Sequence, residues 1–188
     1  MNKYPITVAE YLCAVRAKSV RIPPEAVGMN WERQIASIEN PVVCVSWEDA
    51  LLYTKWITDI TGEDWEMPTE FEWIKSASGP DTWDLPWVKN WREGDPFDPS
   101  RANIHPSGPA KVTAIGAYPL GVSSYGVGDM AGNVWEWCNT IVSGLSDSRI
   151  LHGGSWNTEI SNASNYYNVF HRYDYYNHNV GFRILKRD

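Results

Sequence analysis

The sequence predicts an α+β fold, and three observations carry that prediction. Helix-start signals with amphipathic spacing cluster before Pro80. Apolar runs of strand type appear after Met130. Between them lies a turn-rich stretch too heavily loaded with tryptophan for a disordered linker. Helices first and strands later is the order of an α+β domain rather than of repeated βαβ units.

The helices come first. Thr7-Val8-Ala9-Glu10 is a capping box, with a hydroxyl at the cap and a carboxylate three residues on to return the bond. It opens a helix from Val8 to about Ala17, with Tyr11, Ala14 and Val15 on one face. Residues from Ser19 to Asn40 contain Pro23, Pro24 and Gly28 and read as loop with at most one helical turn. Pro41 to Val45 is β-branched and extended. Ser46-Trp47-Glu48-Asp49 is a second cap; Trp47, Ala50, Tyr53, Trp56, Ile57 and Ile60 then recur at helical spacing, and Gly62 supplies a left-handed stop. Thr69-Glu70-Phe71-Glu72 is a third box, opening a helix to about Ala77 that Gly79-Pro80 ends. Phe71 and Trp73 cannot share one face of it, which places one of them at a crowded interface.

Asp81 to Ala117 is rich in proline and glycine. So long a stretch without regular structure is unusual inside a compact domain. Trp83, Trp87, Trp91 and Phe97 give it apolar contacts with which to pack as loop. The strands follow: Met130 to Trp137, with Val134 and Glu136 on one side and Trp135 and Trp137 on the other; Arg149 to Trp156, broken at Gly153-Gly154; and a half-buried strand from Val180 to Leu185. One domain over 1–188 is expected.

Composition narrows the function classes. With 43% hydrophobic and 21% charged residues the chain is of globular type. A formal charge of -7 argues against sequence-independent binding to nucleic acid or to an anionic membrane. No apolar run approaches the roughly 20 residues of a spanning helix. The start, MNKYPITVAEY, lacks a signal-peptide core, leaving location open between a virion-associated and a cell-surface role. Cys13, Cys44 and Cys138 are scattered outside any CxxC spacing and read as three small buried hydrophobes.

The segment Asn157 to Asn179, NTEISNASNYYNVFHRYDYYNHN, differs from everything before it. It holds five of the ten tyrosines and two of the four histidines, yet none of the 11 tryptophans. Tyrosine offers a large, stiff, amphipathic contact, and Ser and Asn offer adaptable hydrogen bonds, which is the chemistry of an antibody paratope. Trp156 and Phe182 anchor its two ends.

The motifs PVVCVSWEDALLYTKW, MPTEFEW, YGVGDMAGNVWEW, ILHGGSW and NVGFRIL occur in the order and spacing of a known family. From Tyr4 to Leu185 the chain resembles the formylglycine-generating, sulfatase-modifying family, a branch of the C-type lectin fold. The resemblance implies two helices flanking a small, twisted antiparallel sheet, with long packed loops. It also implies a choice among three kinds of member. Some oxidise a substrate cysteine with a cysteine pair placed after the GGSW-type motif; after Trp156 this chain has no cysteine. Some join an iron domain with several His ligands; His105, His152, His171 and His178 show no i, i+4 pairing. The third kind are variable proteins of diversity-generating retroelements, which bind ligands.

The expectation drawn is therefore no catalytic residue, no cofactor, no resident metal and no enzyme activity. Variable proteins arise by replacement of adenines, largely in AAY (Asn) codons, which cannot yield Lys, Trp, Met, Gln, Glu or a stop. Every residue of the segment except Glu159 is Asn or reachable. The expected ligand contacts are Asn157, Thr158, Ile160 and Ser161 at its start and Asn165, Tyr166, Tyr167, Phe170 and His171 in its middle. Tyr173, Asp174, Tyr175, Tyr176, Asn177 and His178 complete the set. The tyrosines are expected to be mostly exposed, since adjacent pairs cannot both point inward. The partner would be a protein or glycan on another cell or particle. The alternatives are a formylglycine-generating-type cysteine oxidase or related metal-dependent oxygenase with an atypical site, and a structural cap domain. Two smaller choices stay open. Asn133 and Glu136 either ligate calcium or, as preferred, belong to a strand whose Glu pairs with an Arg or a backbone amide. His171 and His178 are pH-sensitive contacts or metal ligands or, as preferred, ordinary members of the varied set.

Overall fold

The computed structural model describes residues 1–92 and 94–187. Helix α1 (Val8–Arg16) starts at the expected box: Thr7 Oγ1 accepts from Glu10 N, and Glu10 Oε2 accepts from Thr7 N at 2.7 Å. The short α2 (Trp31–Ile35) is the single turn allowed for in the loop, capped by Asn30. Helix α3 (Trp47–Thr61) ends at Gly62 in the left-handed region, φ 68°. Helix α4 (Glu70–Ser78) follows its own box at Thr69. Trp73 is buried and Phe71 stands 77% exposed, so the crowded position is Trp73's.

A four-stranded sheet has the order β4 (Asn168–Arg172), β3 (Leu145–His152), β2 (Trp135–Val142), β5 (Val180–Phe182). A two-stranded sheet pairs β1 (Trp65–Glu66) with β6 (Leu185–Lys186). The β2–β3 hairpin is longer than the sequence indicated. It turns through Gly144 at φ 81° and carries register shifts after Trp137 and Ile141, which hide the strand alternation of 139–148. The pair β2–β5 is parallel, a departure from the antiparallel expectation. Gly181 makes that pairing possible beside the 42–45 segment, because a Cβ there would lie 2.6 Å from Val42 O.

Two further expectations are corrected. Pro41 to Val45 forms no ladder beyond a bridge between Thr7 and Pro41: Cys44 adopts φ 61°, which turns the chain into the cap of α3. The terminal strand is two pieces. Between them Arg183 leaves the ladder and points inward, fully buried, and the chain changes sheet.

Arg183 is the internal brace of the fold. Its Nε and Nη2 each donate to Glu136 at 2.6 Å, and it also reaches the carbonyls of Gly128 at 3.1 Å and Lys3 at 3.3 Å. Trp73 Nε1 completes the cluster with a 2.7 Å bond to Glu136 Oε2. The largest apolar cluster joins α1, α3 and the sheet through Tyr11, Tyr53 and Phe182, with Tyr53 5.4 Å from Phe182 between ring centres. Burial pushes both phenols above their ordinary pKa. Cys44 and Cys138 are buried as expected, but Cys13 is exposed, because it falls off the Val8–Tyr11–Ala14 stripe of α1. Residues 81–117 carry no helix or named strand among those described, and pack through Trp87 and Phe97 against Ala102, Ile104 and Ala131.

Candidate ligand-binding surface

The segment after Trp156 is held by its ends, by its backbone and by three buried side chains. Trp156 N donates to Asn133 O at 3.1 Å. Asn157 Oδ1 accepts from Ser155 Oγ at 2.6 Å and from Asn179 Nδ2 at 3.0 Å, which draws the two ends of the segment together. Thr158 Oγ1 accepts from Ser155 N, and Thr158 O accepts from His105 N, both at 3.0 Å. A 3₁₀ turn at Ile160–Ala163 follows, with Ala163 buried so closely that a Cβ on Gly154 would sit 2.9 Å from its own.

Beyond that turn the chain opens outward. Tyr166 and Tyr167 are 44% and 38% exposed. Strand β4 is the sheet edge, pairing Arg149 with His171, Ile150 with Phe170 and Leu151 with Val169. Asn168, Phe170 and Arg172 face solvent, while Val169 and His171 are half-buried, the alternation a pleated strand imposes. Phe170 is 50% exposed. After β4 the loop is tied to the corner before α3: Trp47 N donates to Tyr173 O at 3.1 Å and Cys44 N to Asn177 O at 2.9 Å.

The aromatic groups are braced from beneath. Tyr175 stacks on His171 at 3.9 Å and meets Trp137 edge-on. Its hydroxyl accepts from Asn177 Nδ2 at 2.9 Å. His178 meets Trp156 at 5.4 Å, and Tyr176 lies under the Arg21 guanidinium at 5.9 Å. Arg172 is engaged by Asp147 at 3.0 Å and Asp174 at 3.1 Å, and this contact lowers the Asp174 carboxyl pKa. Burial lowers the pKa of His171 and of His178, which favours their neutral forms.

Several expected contacts occupy other roles. Asn165 is buried: its amide donates to Trp83 O and its backbone N–H to Asp84 O, both at 2.8 Å, so it fastens the segment to the 83–84 loop. Ile160 packs on the Ala102–Ile104 cluster, and Asn157 and Thr158 serve the end-to-end network. Ser161 is half-buried in the 3₁₀ turn. Tyr173, Tyr175 and Tyr176 are half-buried, not freely exposed, since the loop lies against the α3 corner. Asp174 is exposed beside Arg172.

Sequence reasoning missed two neighbours of this surface. Arg149 lies 4.4 Å over the Trp47 ring beside His171. His152 is buried, stacked on Trp73 at 4.9 Å, with Nε2 3.3 Å from Glu70 Oε1; that same oxygen accepts from Asn168 Nδ2 at 3.1 Å. Burial lowers the His152 pKa, opposed in part by Glu70. Nothing local in the sequence marks these partners, which lie 82 and 98 residues apart along the chain.

The donor groups for chemistry are placed differently from those of a thiolate–metal site. Burial raises the Cys44 thiol to about 11 and pushes the Cys138 thiol well above its usual value. Glu136 is committed to Arg183 and Trp73, as the preferred reading of that residue has it. The Asn133 amide is bonded to Asn103 and Thr113. Among the described residues no group of three or more His, Cys, Asp and Glu is disposed to hold a metal ion. The copper-binding thiolate pair implied by the oxidising relatives therefore does not fit these side chains.

A model of the sulfatase-modifying factor enzyme 1-like domain matches residues 1–188. The chain belongs to this sulfatase-modifying factor family. Within it, inactive C-alpha-formylglycine-generating enzyme 2 of Bos taurus is 33% identical over 141 residues, covering 69% of this chain and 42% of its own length. Hercynine oxygenase of Mycolicibacterium smegmatis is 31% identical over 143 residues, covering 63% of this chain and 31% of its own. The chain thus spans less than half of either relative. Among solved structures, PvdO from Pseudomonas aeruginosa superposes with TM-score 0.83 at 20% identity, over 98% of this chain and 78% of its own. Treponema denticola variable protein 1 does so at 0.69 and 18% identity, over 95% and 81%. At these identities the likeness is one of fold, and the fold is α+β, C-type lectin-like and of the sulfatase-modifying type. The expectation of no enzyme activity is overturned: sequence relatives of this family member include an oxygenase as well as an inactive homologue.

Proposed function

We propose that this sulfatase-modifying factor family member recognises a ligand through the surface carried by residues 157–178, and that this surface is one version of a diversified set. The observation that carries the reading is the division of labour within the segment. Main-chain bonds, Ala163, Asn165 and Asn179 hold it, while Tyr166, Tyr167 and Phe170 project at a sheet edge without a structural duty of comparable weight. Side chains there can change while the backbone stays. The likeness in fold to a variable protein supports the same reading. The partner is a protein or glycan on another cell or particle, engaged by aromatic faces and amides as in a paratope. Sequencing sibling genes tests it: substitutions should concentrate at adenine positions of codons for exposed residues of 157–178 and spare Ala163, Asn165 and Asn179. An even spread over the whole chain would sink it.

The second reading, an oxygenase or cysteine oxidase with a rearranged site, is favoured by the relationship to hercynine oxygenase. Oxygen uptake by the chain with a thiol peptide and added copper or iron tests it. Turnover that survives Cys13→Ser, Cys44→Ser and Cys138→Ser would require chemistry other than the family's thiolate pair, and no uptake with either metal would remove the reading.

A further inference from the structure

A concavity lies in the stretch from Leu85 to Arg101. It has a volume of about 120 Å³, and its walls include Trp87, Trp91, Pro96, Phe97, Asp98 and Arg101, with none of the described residues beyond Trp156 among them. Backbone bonds set its shape. Leu85 and Val88 exchange two N–H···O bonds of 3.1 Å, closing a turn that presents Trp87. Arg92 N donates to Asp95 Oδ2 at 2.8 Å and Asp95 N returns a bond to Arg92 O at 3.0 Å, which closes the next turn. Behind them Gly121 packs so tightly that a Cβ would come within 1.8 Å of Arg101 O.

The polar rim is equally set. Asp98 Oδ1 accepts from Ser100 N at 3.0 Å and Ser100 Oγ at 2.6 Å. Its Oδ2 faces Arg101 Nε at 3.3 Å, and Arg101 Nη1 donates to Leu120 O at 2.6 Å. The Arg101 guanidinium lies 6.0 Å over the Trp87 ring, and Phe97 sits 6.5 Å from that ring, tilted by 47°.

Trp87 and Phe97 pack inward on the Ala102–Ile104 cluster but are only half-buried and line the hollow, where Trp91, also half-buried, joins them; a small aromatic hollow with a few oriented polar groups at its rim suits a shallow, ring-sized ligand. The rim chemistry selects among ligands. Asp98 and Arg101 compensate each other, so neither a lone cation nor a lone anion gains from entering. A cation would also compete with the guanidinium already over Trp87. What remains is a neutral molecule with an apolar face to lie on indole and a hydroxylated edge to meet a fixed carboxylate and guanidinium. We propose that this cleft binds a neutral saccharide, one sugar ring deep, as a site additional to the 157–178 surface.

The test uses the full chain with glucose, galactose, mannose and N-acetylglucosamine, each titrated through the millimolar range. Binding is read by saturation-transfer NMR of the sugar and by tryptophan fluorescence. A saturable response to at least one sugar is expected, weakened about tenfold or more by Trp91→Ala. Asp98→Asn, which keeps the side-chain oxygen that Ser100 bonds but removes the charge, should weaken it too while the unfolding transition stays cooperative, and Tyr166→Ala should leave it unchanged. The proposal is overturned by no saturable response to any of the four sugars. Binding that is unaltered in both cleft variants, lost in Tyr166→Ala, or displaced by tetramethylammonium would also overturn it.

Discussion

At the scale of single residues, the pair Glu136–Arg183 decides most. Both side chains are essentially inaccessible, and the arginine ties the chain at Lys3, the 128–129 loop and β2 together. A buried pair of this kind is not in itself strong evidence of net stabilisation, but breaking it leaves an uncompensated charge. Glu136→Gln should cost about 3–5 kcal/mol in urea unfolding. A cost within about 0.5 kcal/mol, the range of ordinary surface changes, would show that the cluster is not holding these elements together. His152 has a different signature. Burial places its folded pKa below the usual 6.5, so the unfolded chain binds the proton more readily. Its contribution to stability is therefore complete above pH 6.5 and declines as pH falls below it. His171 and His178 act with the same sign. Thermal unfolding should show a lower midpoint at pH 5.5 than at pH 7.5, and His152→Gln should flatten that slope whatever it does to the midpoint itself.

At the scale of elements, three capping boxes and one edge strand carry the structure and the surface respectively. Thr69 heads α4: its hydroxyl accepts from Glu72 N at 3.3 Å and donates to Glu72 Oε2 at 2.8 Å, and Glu72 in turn pairs with Arg187 after β6. Thr69→Ala should cost about 1 kcal/mol, and more if the Arg187 contact loosens with it, as read by chemical denaturation. Strand β4 predicts a contrast between neighbours. Tyr166→Ala and Phe170→Ala, at exposed positions, should change stability by no more than about 0.5 kcal/mol. Asn165→Ala, which leaves the Trp83 carbonyl without its buried partner, should cost about 1–3 kcal/mol. Equal costs at all three would mean that the segment has no division between held and free side chains.

At the scale of the whole molecule, the long 81–117 loop, the clasp of Asn157 with Asn179 and the docking of the 173–178 loop on α3 together suspend a short edge strand between fixed points. Replacing Tyr166, Tyr167, Phe170 and Tyr176 together by Ser should therefore leave the unfolding transition cooperative, while removing affinity for any partner of the 157–178 surface. Loss of cooperativity would place those rings in the core. No helix among the described residues is long and apolar enough to cross a membrane.

Where the helices begin and end was largely legible from the residues alone, because caps and periodicity act over three or four positions; the strand bounds were not. Thr7, Ser46 and Thr69 announced α1, α3 and α4, and Gly62 announced a stop, since only local hydrogen bonds and a permitted backbone angle were needed. The tyrosine-rich segment stood out by composition, again a local property. What the tertiary structure alone decided was which distant groups meet. The parallel pairing of β2 with β5, the switch of the last strand between sheets at Arg183, the burial of Asn165 under the 83–84 loop and the His152–Glu70–Asn168 contact all join residues tens of positions apart. A polar side chain that will be enclosed and one that will face water carry the same chemistry in the sequence. Only the arrival of a partner, as when the Trp83 carbonyl meets the Asn165 amide, makes burial cost less than exposure.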